Sequence, residues 1–186
     1  MELINFISIY DDIIHEKPLS KLIRVCKDFK WEDALVGKGN LDKDIRKVKM
    51  CVLSNCSDSI TNVHWHNVMQ NRFEAHLKKY VEVNDIKLMY SAQLETIQVL
   101  KYDKSDHYTW HYDSFPGINR TFSCVYFLNE DYEGGELCFR NPDGTGEFTI
   151  PKKKNRMIIW PSSFLYPHTV RPVKEGEKYS IVSWTQ

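Results

Sequence analysis

Two periodicities divide the chain. In the front part, apolar residues recur at helical spacing. Leu19, Leu22, Ile23, Cys26 and Phe29 fall on one side of an amphipathic helix that opens at Pro18-Leu19-Ser20. Trp65, Val68, Met69, Phe73, Leu77 and Tyr80 make a second i, i+3, i+4 stripe, in a longer helix that Ser59 caps. Residues 5–14 alternate enough for an edge strand, residues 48–53 read as a short strand, and Gly37-Lys38-Gly39-Asn40 is a loop.

After Asp85 the period shortens to two. Segments 92–102, 107–113, 121–129, 136–140, 147–150, 156–160, 168–173 and 178–185 all read as strands. Turn residues punctuate them, as at Glu133-Gly134-Gly135 and Asn141-Pro142-Asp143-Gly144. The expected fold class is α+β: an all-β core with helical support, arranged as a sandwich or jelly roll with the N-terminal helices packed on one sheet. A single domain over 1–186 is expected, with support from 1–85 and core from 86–186.

Composition narrows the function classes. The 186 residues are 42% hydrophobic and 27% charged, with zero formal net charge. An obligate nucleic-acid or anionic-membrane partner would call for a basic excess, so neither is expected. Lys152-Lys153-Lys154 is the densest basic run and reads as a solvated turn. The start, MELINFISIYDD, lacks the pattern of a signal peptide, and no apolar run approaches the roughly 20 residues that span a bilayer. The five cysteines (Cys26, Cys51, Cys56, Cys124, Cys138) form no C-x-x-C pair and read as reduced thiols, which fits a cytoplasmic location.

Seven histidines are candidate ligands. His15 sits in a polar loop. His64 and His66 are two apart on a helix, so they point about 200° apart and cannot share an ion. His76 borders the apolar stripe. His107 and His111 lack the glutamate of a helical zinc motif. Read as a strand, the segment puts His107, Thr109, His111 and Asp113 on one face, with Tyr108, Trp110 and Tyr112 on the other and Trp110 in the core. His111 and Asp113 then project side by side, and His168 can supply a third ligand. Two histidines and one carboxylate suit non-haem Fe(II), with zinc as the alternative. Lys178, ten residues past His168, would carry an unpaired ammonium into the barrel mouth. That is costly unless an anionic co-substrate arrives to meet it.

His111-x-Asp113, His168 and Lys178, in this order and spacing, resemble the 2-oxoglutarate and Fe(II)-dependent dioxygenases, and more narrowly the prolyl 4-hydroxylase group of microbial or viral type. The match runs from Gln98 to Thr185 through Tyr102, the stretch from Arg120 to Asn129, Gly134-Gly135-Glu136, Pro167-His168-Thr169-Val170 and the final strand to Trp184. The resemblance implies a double-stranded β-helix. It implies that His111, Asp113 and His168 hold Fe(II), that Lys178 binds the distal carboxylate of 2-oxoglutarate, that Tyr102 hydrogen-bonds the same molecule and that Trp184 walls the pocket. Co-substrates would be 2-oxoglutarate and O2, with ascorbate a candidate reductant and succinate and CO2 as products. The implied substrate is a prolyl residue in a peptide or protein, with 36–46 as a candidate lid. A free amino acid or other small molecule, or a non-catalytic metal-binding jelly-roll module, are the alternatives. Phe127 stands where the family often has a tyrosine that assists the basic residue. Phenylalanine cannot donate that hydrogen bond, and Tyr126 should face the other side of its sheet.

Overall fold

The computed structural model describes residues 2–36, 39–53, 59–86 and 93–186. A short 3-10 turn (Leu3–Phe6) leads into β1 (Ser8–Asp11) and α1 (Glu16–Cys26). Then come β2 (Glu32–Asp33), β3 (Arg46–Lys47), β4 (Lys49–Val52) and α2 (Ile60–Val83). The remaining strands are β5 (Gln98–Tyr102), β6 (His107–His111), β7 (Phe122–Phe127), β8 (Glu133–Gly134), β9 (Leu137–Phe139) and β10 (Phe148–Thr149). They continue with β11 (Arg156–Pro161), β12 (His168–Val170), β13 (Val173–Glu175) and β14 (Lys178–Trp184). The Ser59 side chain accepts from the Asn62 amide and so caps α2 as its sequence suggests.

The described strands pair antiparallel. A seven-stranded sheet has the order β1-β11-β7-β14-β5-β4-β2, and a five-stranded sheet the order β10-β9-β12-β6-β3. One side of the larger sheet meets the helices. There Leu19, Leu22, Trp65, Phe73 and Tyr80 pack with Val99, Tyr126, Ile159 and Ile181 in one buried cluster. Each such side chain contributes about 1.5–3 kcal/mol by leaving water. The other side meets the smaller sheet, where Leu100, Phe127, Ile158 and Val182 share a second cluster with Leu137 and Phe139. Among the described residues, no helix is long and apolar enough to cross a membrane.

Several expectations shift. The strand expected over 92–102 starts at Gln98, and residues 87–92, like Gly37 and Lys38 of the expected loop and lid and Cys56, lie outside the described residues. The strand expected over 168–173 divides at Arg171-Pro172, and β13 pairs instead with β8, so Glu133-Gly134 is a strand rather than a turn. Gly134 is required there: at φ +72° a Cβ would lie 2.3 Å from the Pro172 carbonyl oxygen. The lysine run is not simply solvated. Lys152 donates to the Tyr132 carbonyl, Lys153 pairs with Asp11 and Lys154 with Glu16, tying the turn before β11 to β1 and α1.

Candidate metal centre and pocket

The site grows from the facing pair β6 and β12. His168 lies directly opposite His111, while Val170 lies opposite Tyr108. Two steps on β12 therefore match three on β6, which is a β-bulge. The extra residue resets the alternation. Tyr108 comes to the same side as His111 and stacks on it, with ring centroids 3.5 Å apart and planes 15° apart. Strict alternation, with Thr109 as the neighbour of His111 and Tyr108 behind, is thus corrected. His107 turns instead to the carbonyls of Ser105 and Asp44. Trp110 is not core either: it is half-buried, with the guanidinium carbons of Arg140 and Arg171 at 4.2 and 5.7 Å from its ring.

His111, Asp113 and His168 each present one ligand atom, all within 4.8 Å of one another. The His111 and His168 rings lie 4.1 Å apart, as cross-strand neighbours should. His111 Nδ1 sits 2.8 Å from the Thr109 carbonyl, and His168 Nδ1 sits 3.0 Å from the Tyr166 carbonyl. A carbonyl only accepts, so each Nδ1 carries a proton, which leaves Nε2 as the atom that can offer a lone pair to a metal. Those Nε2 atoms lie 3.9 Å (His111) and 3.4 Å (His168) from oxygens of Asp113. Burial, with the field of His168 beside it, pushes His111 down to about 3, so the ring is neutral at physiological pH. Burial raises the Asp113 carboxyl, but the two imidazoles and a hydrogen bond from Ser123 outweigh it and hold the group below its ordinary range. Ser123 Oγ donates to Asp113 Oδ2 at 2.7 Å. Its one proton is thereby used, so Ser162 Oγ, also at 2.7 Å, donates to Ser123. Sequence reading singled out neither serine. Alternation on β7 that puts Ser123 on the Phe127 side is the signal that could have found the first.

The triad lines a pocket of about 250 Å3 between the two sheets, and Lys178, Tyr102 and Trp184 line it too. Lys178 and Tyr102 are directly opposed on β14 and β5. Lys178 is 2% exposed and donates to the Gly135 carbonyl at 2.7 Å. Its ammonium lies over the rings of Tyr102 and Phe127, 5.2 Å from each centroid, and 6.0 Å from that of Tyr132. Among the described residues, no carboxylate pairs with it. Burial pushes the Lys178 amine down to about 7. Phe127 faces this pocket, while the Tyr126 hydroxyl leaves on the helix side to bond Asn155, so the tyrosine does not substitute. Arg120 roofs Trp184 at 3.7 Å and is itself held by both carboxylate oxygens of Glu95, at 2.8 and 2.6 Å.

Residues 97–186 match the family model of the 2OG-Fe(II) oxygenase superfamily. Those residues, just under half of the chain, are thus similar to the 2OG-Fe(II) oxygenase superfamily. A PKHD-type hydroxylase of Prochlorococcus marinus (strain NATL2A) is 40% identical to this chain over 84 residues, which is 43% of this chain and 36% of that one. One from Janthinobacterium sp. (strain Marseille) is 36% identical over 96 residues, 46% of this chain and 41% of the relative. The chain thus spans well under half the length of these relatives. Among solved structures, a Trichoplax adhaerens prolyl hydroxylase in complex with a hypoxia inducible factor peptide fragment has a TM-score of 0.77 at 15% identity, covering 97% of this chain and 83% of that one. A Pseudomonas putida prolyl-4-hydroxylase reaches 0.73 at 18% identity, covering 97% and 92%. A viral collagen prolyl hydroxylase of Paramecium Bursaria Chlorella virus-1 reaches 0.66 at 19%, covering 97% and 95%. These likenesses identify the oxygenase fold as the prolyl-hydroxylase type of double-stranded β-helix, here as facing sheets without barrel closure.

The superfamily implies Fe(II) and 2-oxoglutarate, and the residues present fit both. Two imidazole nitrogens and one carboxylate oxygen converge on one spot, the donor set suited to Fe(II) with positions left over. A buried ammonium with no carboxylate partner among the described residues lines the same pocket, the environment an incoming carboxylate would complete.

Proposed function

We propose that this chain hydroxylates a prolyl residue in a peptide or protein, consuming 2-oxoglutarate and O2 and releasing succinate and CO2. The observation that carries the reading is the pairing, in one pocket, of the His111–Asp113–His168 cluster with the buried, carboxylate-free Lys178. In this reading His111, Asp113 and His168 hold the iron. Ser123 fixes the rotamer of Asp113, and the Thr109 and Tyr166 carbonyls fix the two imidazoles. Lys178 receives the distal carboxylate of 2-oxoglutarate, Tyr102 offers its hydroxyl to the same molecule, and Trp184 under Arg120 closes the wall and excludes water. Bound iron supplies oxygen activation coupled to decarboxylation of 2-oxoglutarate. The apolar rim, where Leu35 and Tyr112 line the pocket yet remain 44% and 46% exposed, gives a peptide surface to cover. The names of the hydroxylase relatives and prolyl-hydroxylase neighbours support the same substrate class. Cytoplasmic residence is proposed with it, because Cys26, Cys124 and Cys138 are buried free thiols.

The test is incubation of the purified chain with Fe(II), ascorbate, 2-oxoglutarate and a peptide library from a cell lysate. Succinate release and gain of one oxygen on proline are expected. Tight zinc binding with no 2-oxoglutarate binding would instead mean a non-catalytic metal module.

A further inference from the structure

Besides Lys178, Arg46 and Arg120 line the pocket, while Lys47 adjoins Arg46 on β3, and these three basic side chains are not equivalent. Lys47 pairs with Asp106 at 3.0 Å. Arg120 is held by both oxygens of Glu95. Arg46 has no carboxylate partner among the described residues. The one side-chain hydrogen bond it makes among them runs from Nη1 to the Leu35 carbonyl at 2.8 Å, and its Nε is buried without a partner. Its position is set by pairing: Arg46 on β3 lies opposite Tyr108 on β6. Its guanidinium carbon sits 4.9 Å from the Tyr108 ring centroid, and Tyr108 in turn stacks on His111. Guanidinium, phenol and imidazole therefore form three successive layers. The charge is no farther from the His111 ring than those two spacings together, and it lines the same pocket.

Charge balance sharpens the point. Fe(II) with Asp113, Lys178 and the 2-oxoglutarate dianion sums to neutrality. Glu95 cancels Arg120. Arg46 is what remains, a planar fork suited to a carboxylate. Leaving it unmatched when a substrate covers the rim would strand a desolvated cation.

From this we infer that the substrate presents a carboxylate to Arg46, next to the carbon that is oxidised. The inference rests on the oxygenase reading and specifies its substrate class. The carboxylate can belong to an acidic residue flanking the target proline or to the α-carboxylate of a free amino acid. The shared chemistry is the anion within one residue's reach of the metal centre.

The test uses the full chain loaded with Mn(II) and 2-oxoglutarate, so that binding is read without turnover. Two matched pairs are titrated: blocked Glu-Pro and Pro-Glu peptides against their Gln counterparts, and L-proline against L-prolinamide. Wild type should bind the carboxylate member of one pair at least about tenfold tighter at low salt, and the pair that responds identifies the source. Raising NaCl from about 0.05 to 0.5 M should shrink that preference. Arg46→Gln should reduce it to less than about twofold, and Arg46→Lys, which keeps the charge but not the fork, should retain part of it. A wild-type protein that binds 2-oxoglutarate but ignores the carboxylate in both pairs overturns this inference and leaves the oxygenase reading standing. So does a preference unchanged in Arg46→Gln. If Arg46→Gln does not fold, the salt series and Arg46→Lys decide: a preference insensitive to both overturns the inference. Failure of wild type to bind 2-oxoglutarate at all removes the oxygenase reading beneath it.

Discussion

The two sides of the seven-stranded sheet are made from the same strands and do opposite work. On the helix side, Phe73, Tyr80, Tyr126, Ile159 and Ile181 are buried among one another. On the pocket side, the same strands β5, β7 and β14 turn inward Tyr102, Ser123 and Lys178, which are equally buried but polar. The helix side gains free energy from its burial. The pocket side carries a cost, a desolvated ammonium above all, that makes sense only when a ligand arrives. Stability and chemistry are thus separated by the strand pleat rather than by position along the chain.

Substitutions on each side test that separation. Asp113→Ala should abolish succinate formation, measured by mass spectrometry, while Ser114→Ala, whose hydroxyl only donates to the Ile118 carbonyl, should leave turnover near wild type. Phe73→Ala, wholly buried between α2 and the sheet, should cost about 3–5 kcal/mol in urea unfolding and leave 2-oxoglutarate affinity unchanged. Lys178→Met should do the reverse: 2-oxoglutarate binding, followed by calorimetry, should weaken about 10–100-fold. The ligand-free protein should be no less stable, because a buried cation has become an apolar chain of similar length. A marked loss of stability in Lys178→Met, or of affinity in Phe73→Ala, would break the comparison. Ser123→Ala should lower metal affinity about tenfold by freeing Asp113, read by competition with a chelator.

Acidity sharpens the contrast further. Lys178 is held near 7, so in the ligand-free protein it loses its proton as pH rises through neutrality. A neutral amine cannot pair with a carboxylate. The Kd for 2-oxoglutarate should therefore climb above pH 7, approaching about tenfold per unit, and flatten below it. In Lys178→Met that slope should vanish.

Much of this was legible in the sequence because it rests on local periodicity. The amphipathic stripes of α1 and α2 and the Ser59 cap were readable in that way, whereas the gathering of His111, Asp113, His168, Tyr102, Lys178 and Trp184 around one pocket was legible through the family resemblance. What escaped depends on partners distant in the chain. The bulge in β6 is defined only against β12, and it is why Tyr108 rather than Thr109 neighbours His111. Two-residue strands such as β3 and β8 are too short to carry an alternation, yet β3 positions Arg46 and β8 adjoins Gly135, the acceptor for Lys178. The Lys152–Lys154 run looked solvated because its partners Asp11 and Glu16 lie more than a hundred residues away.

The last strand bears a consequence for how such a chain can change over generations. Along β14, Lys178, Ser180, Val182 and Trp184 line the pocket, while Tyr179 and Ile181 belong to the helix-side core. Inserting or deleting one residue within it would exchange the two sets, driving the ammonium under the helices and a phenol into the pocket. Point changes can retune one side at a time, but length changes here strike both. Insertions that diversify this scaffold are therefore confined to its connecting loops, and the seven residues of β14 form a fixed-length segment around which the rest can vary.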